Sequence, residues 1–191
     1  MTKQYTSITI EYNLCILLAV AVLIIPADLL FSWLCGVIIH ELGHLCMLRI
    51  LKIQIISISL TARGVMIDTE HMLPQEELVC AIAGPLMSLM LILTSNYLPL
   101  IALCGAVQGV FNLLPIMPLD GGRILFALSE LLLPGRGEII VKYVRIIILT
   151  ILAFCVMHIA CRNVALSVAI SVIMALRLKI PCKEALKKVQ Y

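Results

Sequence analysis

Charge is scarce in this sequence. Of its 191 residues only 13% are Asp, Glu, Lys or Arg, where an ordinary soluble domain carries about 25%. That shortage excludes a conventional soluble globule. Disorder is excluded by the opposite excess, since 62% of the residues are hydrophobic and the mean hydropathy is +1.13, whereas disordered chains combine low hydrophobicity with high charge. No basic tract with interleaved aromatics occurs, which removes support for nucleic-acid binding. The eight cysteines are scattered and never form Cys-x-x-Cys. They read as small reduced hydrophobes rather than a disulfide framework. Residues 1–11 are polar and mixed and lack the small-residue cleavage pattern of a signal peptide. No internal repeat is visible.

What is present is a series of apolar blocks of about 20 residues, the length that spans a bilayer as a helix. The expected fold class is an all-α polytopic membrane protein of about six spans, a single membrane-embedded domain over 1–191. The spans are expected near 12–26, 29–49, 76–97, 99–112 with a second piece at 119–133, 139–160 and 163–178. The first is short, so its start is expected to extend into residues 5–10. A short basic tail over 179–191 follows and could touch anionic lipid. Between spans two and three, Ile56-Ser57-Ile58-Ser59-Leu60 alternates with period two and Thr61-Ala62-Arg63-Gly64 suggests a turn. This predicts a small β-hairpin near the membrane surface, with an irregular loop as the alternative. Under a six-span topology all but Arg162 of the 14 Lys and Arg fall on one side. That places both termini in the cytoplasm.

The polar exceptions within the apolar blocks carry the chemistry. His40-Glu41-Leu42-Gly43-His44 lies inside span two. Histidines at i and i+4 share one helical face and can bind one metal ion, and Glu41 one residue on can reach water beside that metal without occupying it. Ionisable residues inside a span are costly and usually functional. A catalytic zinc site takes three protein ligands and keeps an open position. The third candidate is Asp120, in Asn112-Leu113-Leu114-Pro115-Ile116-Met117-Pro118-Leu119-Asp120-Gly121-Gly122. Two prolines break the span there, and a broken helix at membrane depth is tolerated where protein buries it or water lines it. The other reading of Asp120 is an N-cap for the helix that follows. His71 and His158 read as surface and interfacial residues, Asp28 as a turn, and Glu130 and Glu138 as solvated charges flanking a loop.

His40-Glu41-x-x-His44 together with Asn112-x-x-Pro115-x-x-Pro118-Leu119-Asp120-Gly121-Gly122 resembles the site-2 protease family of intramembrane zinc metalloproteases, over about residues 30–130. Ala83-Gly84-Pro85 resembles a further family element, although Ser88 stands where the family often has Asn. The resemblance implies His40, His44 and Asp120 as Zn2+ ligands, Glu41 as catalytic acid/base and Asn112 as a supporting residue. It implies peptide-bond hydrolysis in or near a transmembrane segment of a membrane protein substrate, in a bacterial cell membrane with the active site towards the cytoplasm. Regulatory membrane partners are possible companions. It also implies that the hairpin, with Ser57 and Ser59, adds an unwound substrate segment as a strand. The compact, sporulation-type branch is the nearest form; a C-terminal CBS domain, common there, is not expected here. The alternatives are a membrane zinc-handling protein, for which the paired repeats common in transporters are missing, and a catalytically inactive scaffold.

Overall fold

A computed structural model describes residues 7–161 apart from Arg63. The expected sixth span, 163–178, and the basic tail lie outside the described residues. The elements run β1 (Ser7–Ile10), α1 (Tyr12–Ile24), α2 (Ala27–Ile50), β2 (Ile55–Thr61), β3 (Gly64–Thr69), α3 (Pro74–Met90), α4 (Pro99–Asn112), α5 (Asp120–Leu132) and α6 (Gly137–Cys161). A 3₁₀ turn, Leu91–Thr94, extends α3.

The helix boundaries follow local chemistry. Pro26 ends the extended link after α1, and α2 starts at the next residue. Pro74 and Pro99 occupy the first positions of α3 and α4, where a missing N–H costs nothing. The Glu76 carboxylate accepts from the Leu73 backbone N–H at 2.8 Å, satisfying one free donor at the start of α3. Asp28 lies in the first turn of α2 rather than in a turn of its own, and its carbonyl accepts from Ser32 Oγ at 2.7 Å.

Among the described residues, three helical segments are long and apolar enough to cross a membrane: Ala27–Ile50, Pro74–Thr94 and Gly137–Val156. This is a membrane protein. The segments Tyr12–Ile24 and Pro99–Asn112 are apolar but shorter. At about 1.5 Å per residue, 13 residues reach about 20 Å, less than the ~30 Å hydrocarbon thickness. The expectation that the first span extends back into residues 5–10 is therefore corrected: Ser7–Ile10 is a strand. Ile139, Tyr143, Ile147 and Ile151 on α6 are all exposed, a stripe at helical spacing that suits lipid contact.

The expected hairpin is present as β2 and β3, and it belongs to a larger unit. β1 pairs with β2 in parallel, Ser7 opposite Ser57 and Ile10 opposite Leu60, while β2 and β3 are antiparallel. The strand order is β1-β2-β3. β2, with Ser57 and Ser59, is thus central and paired on both sides, and the outer strand of the hairpin is β3.

α3 is the hub of the helical body, packed against α2, α4 and α5, while α6 rests on α5. Met117 and Val141 are buried together and packed against Leu125 and Phe126. The break between α4 and α5 is therefore anchored on α6. The Glu130 carboxylate accepts from the backbone N–H groups of Gly135 and Gly137, each at 2.8 Å. It is a loop-organising residue, in correction of its reading as a solvated charge.

Candidate metal centre

His40 and His44 sit one turn apart on α2, buried at 4% and 5% exposure. Their ring centroids are 4.9 Å apart and the planes cross at 79°. Each ring is held by its Nδ1 through α3. His40 Nδ1 lies 2.9 Å from Ser88 Oγ, and His44 Nδ1 lies 2.9 Å from the Cys80 carbonyl oxygen. A carbonyl only accepts, so His44 Nδ1 carries the proton and donates it, leaving the lone pair of the neutral ring on Nε2.

That lone pair faces other acceptors. His44 Nε2 is 3.2 Å from His40 Nε2 and 3.3 Å from Asp120 Oδ2, and His40 Nε2 is 2.9 Å from the same oxygen. The three candidate donor atoms lie within 4.8 Å of one another. Two imidazoles and a carboxylate converging on one point repel unless a proton or a cation lies between them. A cation satisfies all three at once, and the set of two histidines and one carboxylate suits a divalent metal. The donor chemistry therefore fits a metal ion.

The approach of α3 depends on two glycines. A Cβ on Gly84 would overlap the His44 imidazole, and a Cβ on Gly43 would come 2.6 Å from the Ala83 carbonyl oxygen. Only hydrogen at both positions lets the two backbones close enough for His44 to reach Cys80.

Asp120 arrives from the other side. α4 ends at Asn112, the chain turns through Pro115 and Pro118, and α5 begins at Asp120. The capping alternative is not realised: the N-cap position is Leu119, and no side chain caps this helix. Gly121 and Gly122 pack on the backbone of residues 113–117, which folds the break tightly and aims Asp120 at α2. Its second oxygen, Oδ1, lies 3.5 Å from Arg123 Nη1, and Arg123 Nε donates to Glu77 Oε1 at 2.7 Å.

His40, His44, Cys80, Asp120 and Arg123 border a cavity of about 350 Å³, together with Glu41, Asn112, Pro118, Leu119 and the whole of β3 from Gly64 to Thr69. Glu41 and Asn112 thus stand beside the donor set. Ser57 and Ser59 do not line the cavity. Ser57 hydrogen-bonds Asp68, and Ser59 Oγ lies 2.9 Å from Thr9 Oγ; both serve the sheet. At the helix break, Pro118 lines the cavity, whereas Met117 is buried against α6. His71 is exposed, and His158 stacks on Phe154 at 5.8 Å in α6. Ser88, Cys80, Glu77 and Arg123 had no site role in the sequence reading. Each acts through a partner on another helix, and only Ser88 had a signal, its place after Gly84-Pro85.

Residues 92–152 match the model of peptidase family M50. Across 98% of the chain the structure superimposes on the site-2 protease from Methanocaldococcus jannaschii, covering 93% of that chain, with a TM-score of 0.60 and 22% identity. The fold is that of a site-2 protease. In sequence, the chain is similar to a Synechocystis protein named as a candidate zinc metalloprotease, 36% identical over 118 residues, which covers 53% of this chain and 30% of that protein. It is also similar to a zinc metalloprotease of Methanocaldococcus jannaschii, 32% identical over 107 residues, covering 49% of this chain and 32% of the relative. The chain thus spans about a third of the length of these two proteins. Within the site-2 protease fold, the M50 match includes Asn112 and Asp120, and the two histidines lie outside it on α2.

Proposed function

We propose that this chain is an intramembrane zinc metalloprotease that cleaves a peptide bond within or near a transmembrane segment of a membrane protein. One observation carries the reading: the two histidine Nε2 atoms and Asp120 Oδ2, all on buried residues, converge at a cavity that Glu41 also lines. His40, His44 and Asp120 would hold the ion, and zinc is favoured over other divalent metals by the names of the relatives. When bound, zinc supplies Lewis-acid polarisation of a carbonyl and acidifies water.

The chain's own residues do the rest. Glu41 accepts a proton from the attacking water and returns it to the leaving amine, a general acid/base role that needs a carboxylate in the cavity. Asn112, on the cavity wall, is placed to hydrogen-bond the reacting amide. A helical substrate keeps its carbonyls in hydrogen bonds, so it must unwind before attack. β3 is an outer strand of the sheet, and it runs along the cavity. It offers the edge on which an unwound segment pairs.

The proposed setting is a bacterial cell membrane with the site towards the cytoplasm, as the placement of Lys and Arg favours.

The test uses the full chain in native membranes. Glu41→Gln should abolish cleavage of the membrane proteins that accumulate in its presence while the purified variant still holds zinc. His44→Ala should lose both. Undiminished cleavage by Glu41→Gln would overturn the proposal. For the strand, a cysteine at Met66 in the Glu41→Gln background should cross-link to substrate cysteines near the cleaved bond, and one at Ser59 should not. Cross-linking at Ser59 alone would remove the β3 assignment.

A further inference from the structure

Glu77 and Arg123 form an ionic pair beside the candidate metal site, and nothing in the proposed reaction uses them. Arg123 stands one turn after Asp120 on α5, and Glu77 stands one turn before Cys80 on α3. Their contact, Arg123 Nε to Glu77 Oε1 at 2.7 Å, joins two helices that each present a group to the site. The Glu77 side chain is 9% exposed and that of Arg123 22%. A buried ion pair costs desolvation that its own attraction often only matches, so helix docking alone is a weak reason for one here.

The geometry of Asp120 supplies a better one. Its carboxylate is divided between two sets of partners. Oδ2 faces His40 and His44, whereas Oδ1 is turned to Arg123 Nη1 at 3.5 Å. A guanidinium is planar and rigid, so holding Nε on Glu77 fixes where Nη1 points. A freely rotating carboxylate can offer a cation either one oxygen or both.

We propose that Glu77 and Arg123 are a positioning pair that holds Oδ1 of Asp120 away from the metal, so that Asp120 is a one-oxygen ligand and the remaining position stays open. Arg123 acts through Asp120, and Glu77 acts through Arg123. The pair balances charge as well: the guanidinium sits between two carboxylates, one of which faces the cation. This inference rests on the metal-site reading above and deepens it.

The experiment measures zinc affinity of the full chain in lipid nanodiscs by chelator competition, and the visible spectrum after loading with cobalt in place of zinc. Arg123→Gln and Glu77→Leu should each weaken zinc by about 10–100-fold, the usual effect of losing a group that orients a ligand. Their cobalt spectra should shift towards higher coordination as the second oxygen swings in. Arg123→Gln strands the buried Glu77 carboxylate and Glu77→Leu removes one of the two partners of Arg123, so either can unsettle the fold and the deciding variant is Glu77→Leu with Arg123→Met. It removes both charges and leaves an apolar contact, a replacement that buried pairs often tolerate. If it folds with parental stability when metal-free, yet shows the weakened zinc binding and shifted cobalt spectrum, the pair positions Asp120. Parental affinity and spectrum in that double variant would overturn the proposal and make the pair a plain bridge between α3 and α5. A parent chain that holds no zinc, or still holds it after His44→Ala, would instead bring down the metal-site reading and this proposal with it.

Discussion

The hydroxyl of Ser88 and the carbonyl of Cys80 decide which nitrogen each histidine turns towards the cavity. Both are fixed by α3, and Ser88 is fully buried. Ser88→Ala should therefore free the His40 ring and weaken zinc about 10-fold, with Ser88→Thr restoring part of the loss; calorimetric titration with zinc measures both. Gly84 is a harsher case. The methyl of Gly84→Ala would occupy the His44 ring position, so zinc binding should be lost before the fold is. Retention of parental zinc content by purified Gly84→Ala would show that α2 and α3 can separate at this point. Gly43→Ala instead presses on the Ala83 carbonyl and should cost about 1–3 kcal/mol by overpacking. The candidate histidines were legible in sequence because their spacing is local and their chemistry is out of place in an apolar helix, and Asp120 because it follows the proline-broken segment of a span. Of their supports only Ser88 carried a signal, its place after Gly84-Pro85, because Cys80 and Glu77 acquire meaning only when α3 docks.

At the scale of elements, the same distinction separates β2–β3 from β1. The alternation of Ile56–Leu60 and the turn beside it are adjacent in sequence, so the hairpin could be read directly. Ser7-Ile8-Thr9-Ile10 alternates too, but it runs into the apolar α1, and its partner lies beyond α2. Without that partner the segment is indistinguishable from the start of a span. The α4–α5 break was legible because Pro115 and Pro118 forbid a continuous helix. Glu130 was misread because its partners are backbone amides five and seven residues on, invisible to composition. Its carboxylate pins the turn into α6; a charge-assisted bond of this kind contributes about 1.5–3 kcal/mol when shielded, and of the two here only the Gly137 bond is part-buried. Glu130→Ala should speed hydrogen exchange at the Gly135 and Gly137 amides and lower stability by about 2 kcal/mol, and Glu130→Gln should keep most of the protection. Unchanged exchange in the alanine variant would mean that the turn is held by the α5–α6 packing alone.

At the scale of the whole molecule, the candidate donor set comes from two helices, α2 and α5, that both pack on α3. α2 brings the histidines, α5 brings Asp120, and α3 orients them without contributing a ligand. The sheet closes the remaining side with β3. Metal binding is accordingly a property of the assembled body, and binding to the native state alone stabilises it. Raising free zinc to 100 times its dissociation constant should add about 2.7 kcal/mol to the unfolding free energy, and His44→Ala should abolish that increment. Thermal unfolding in nanodiscs with and without zinc measures it.

The pairing of β1 with β2 has a consequence of a different kind. It buckles the chain before α1 to the chain after α2, so the two ends of that helical pair must emerge on one face of the bilayer. With the sheet at one face and α2 crossing, α1 must cross as well, although its 13 residues reach only about 20 Å. A membrane-impermeant thiol reagent should reach cysteines placed at Ile8 and at Gly64 from the same side. A chain inserted with α1 astray would hold β2 with one edge bare, and the sheet would report the error before any active site had formed.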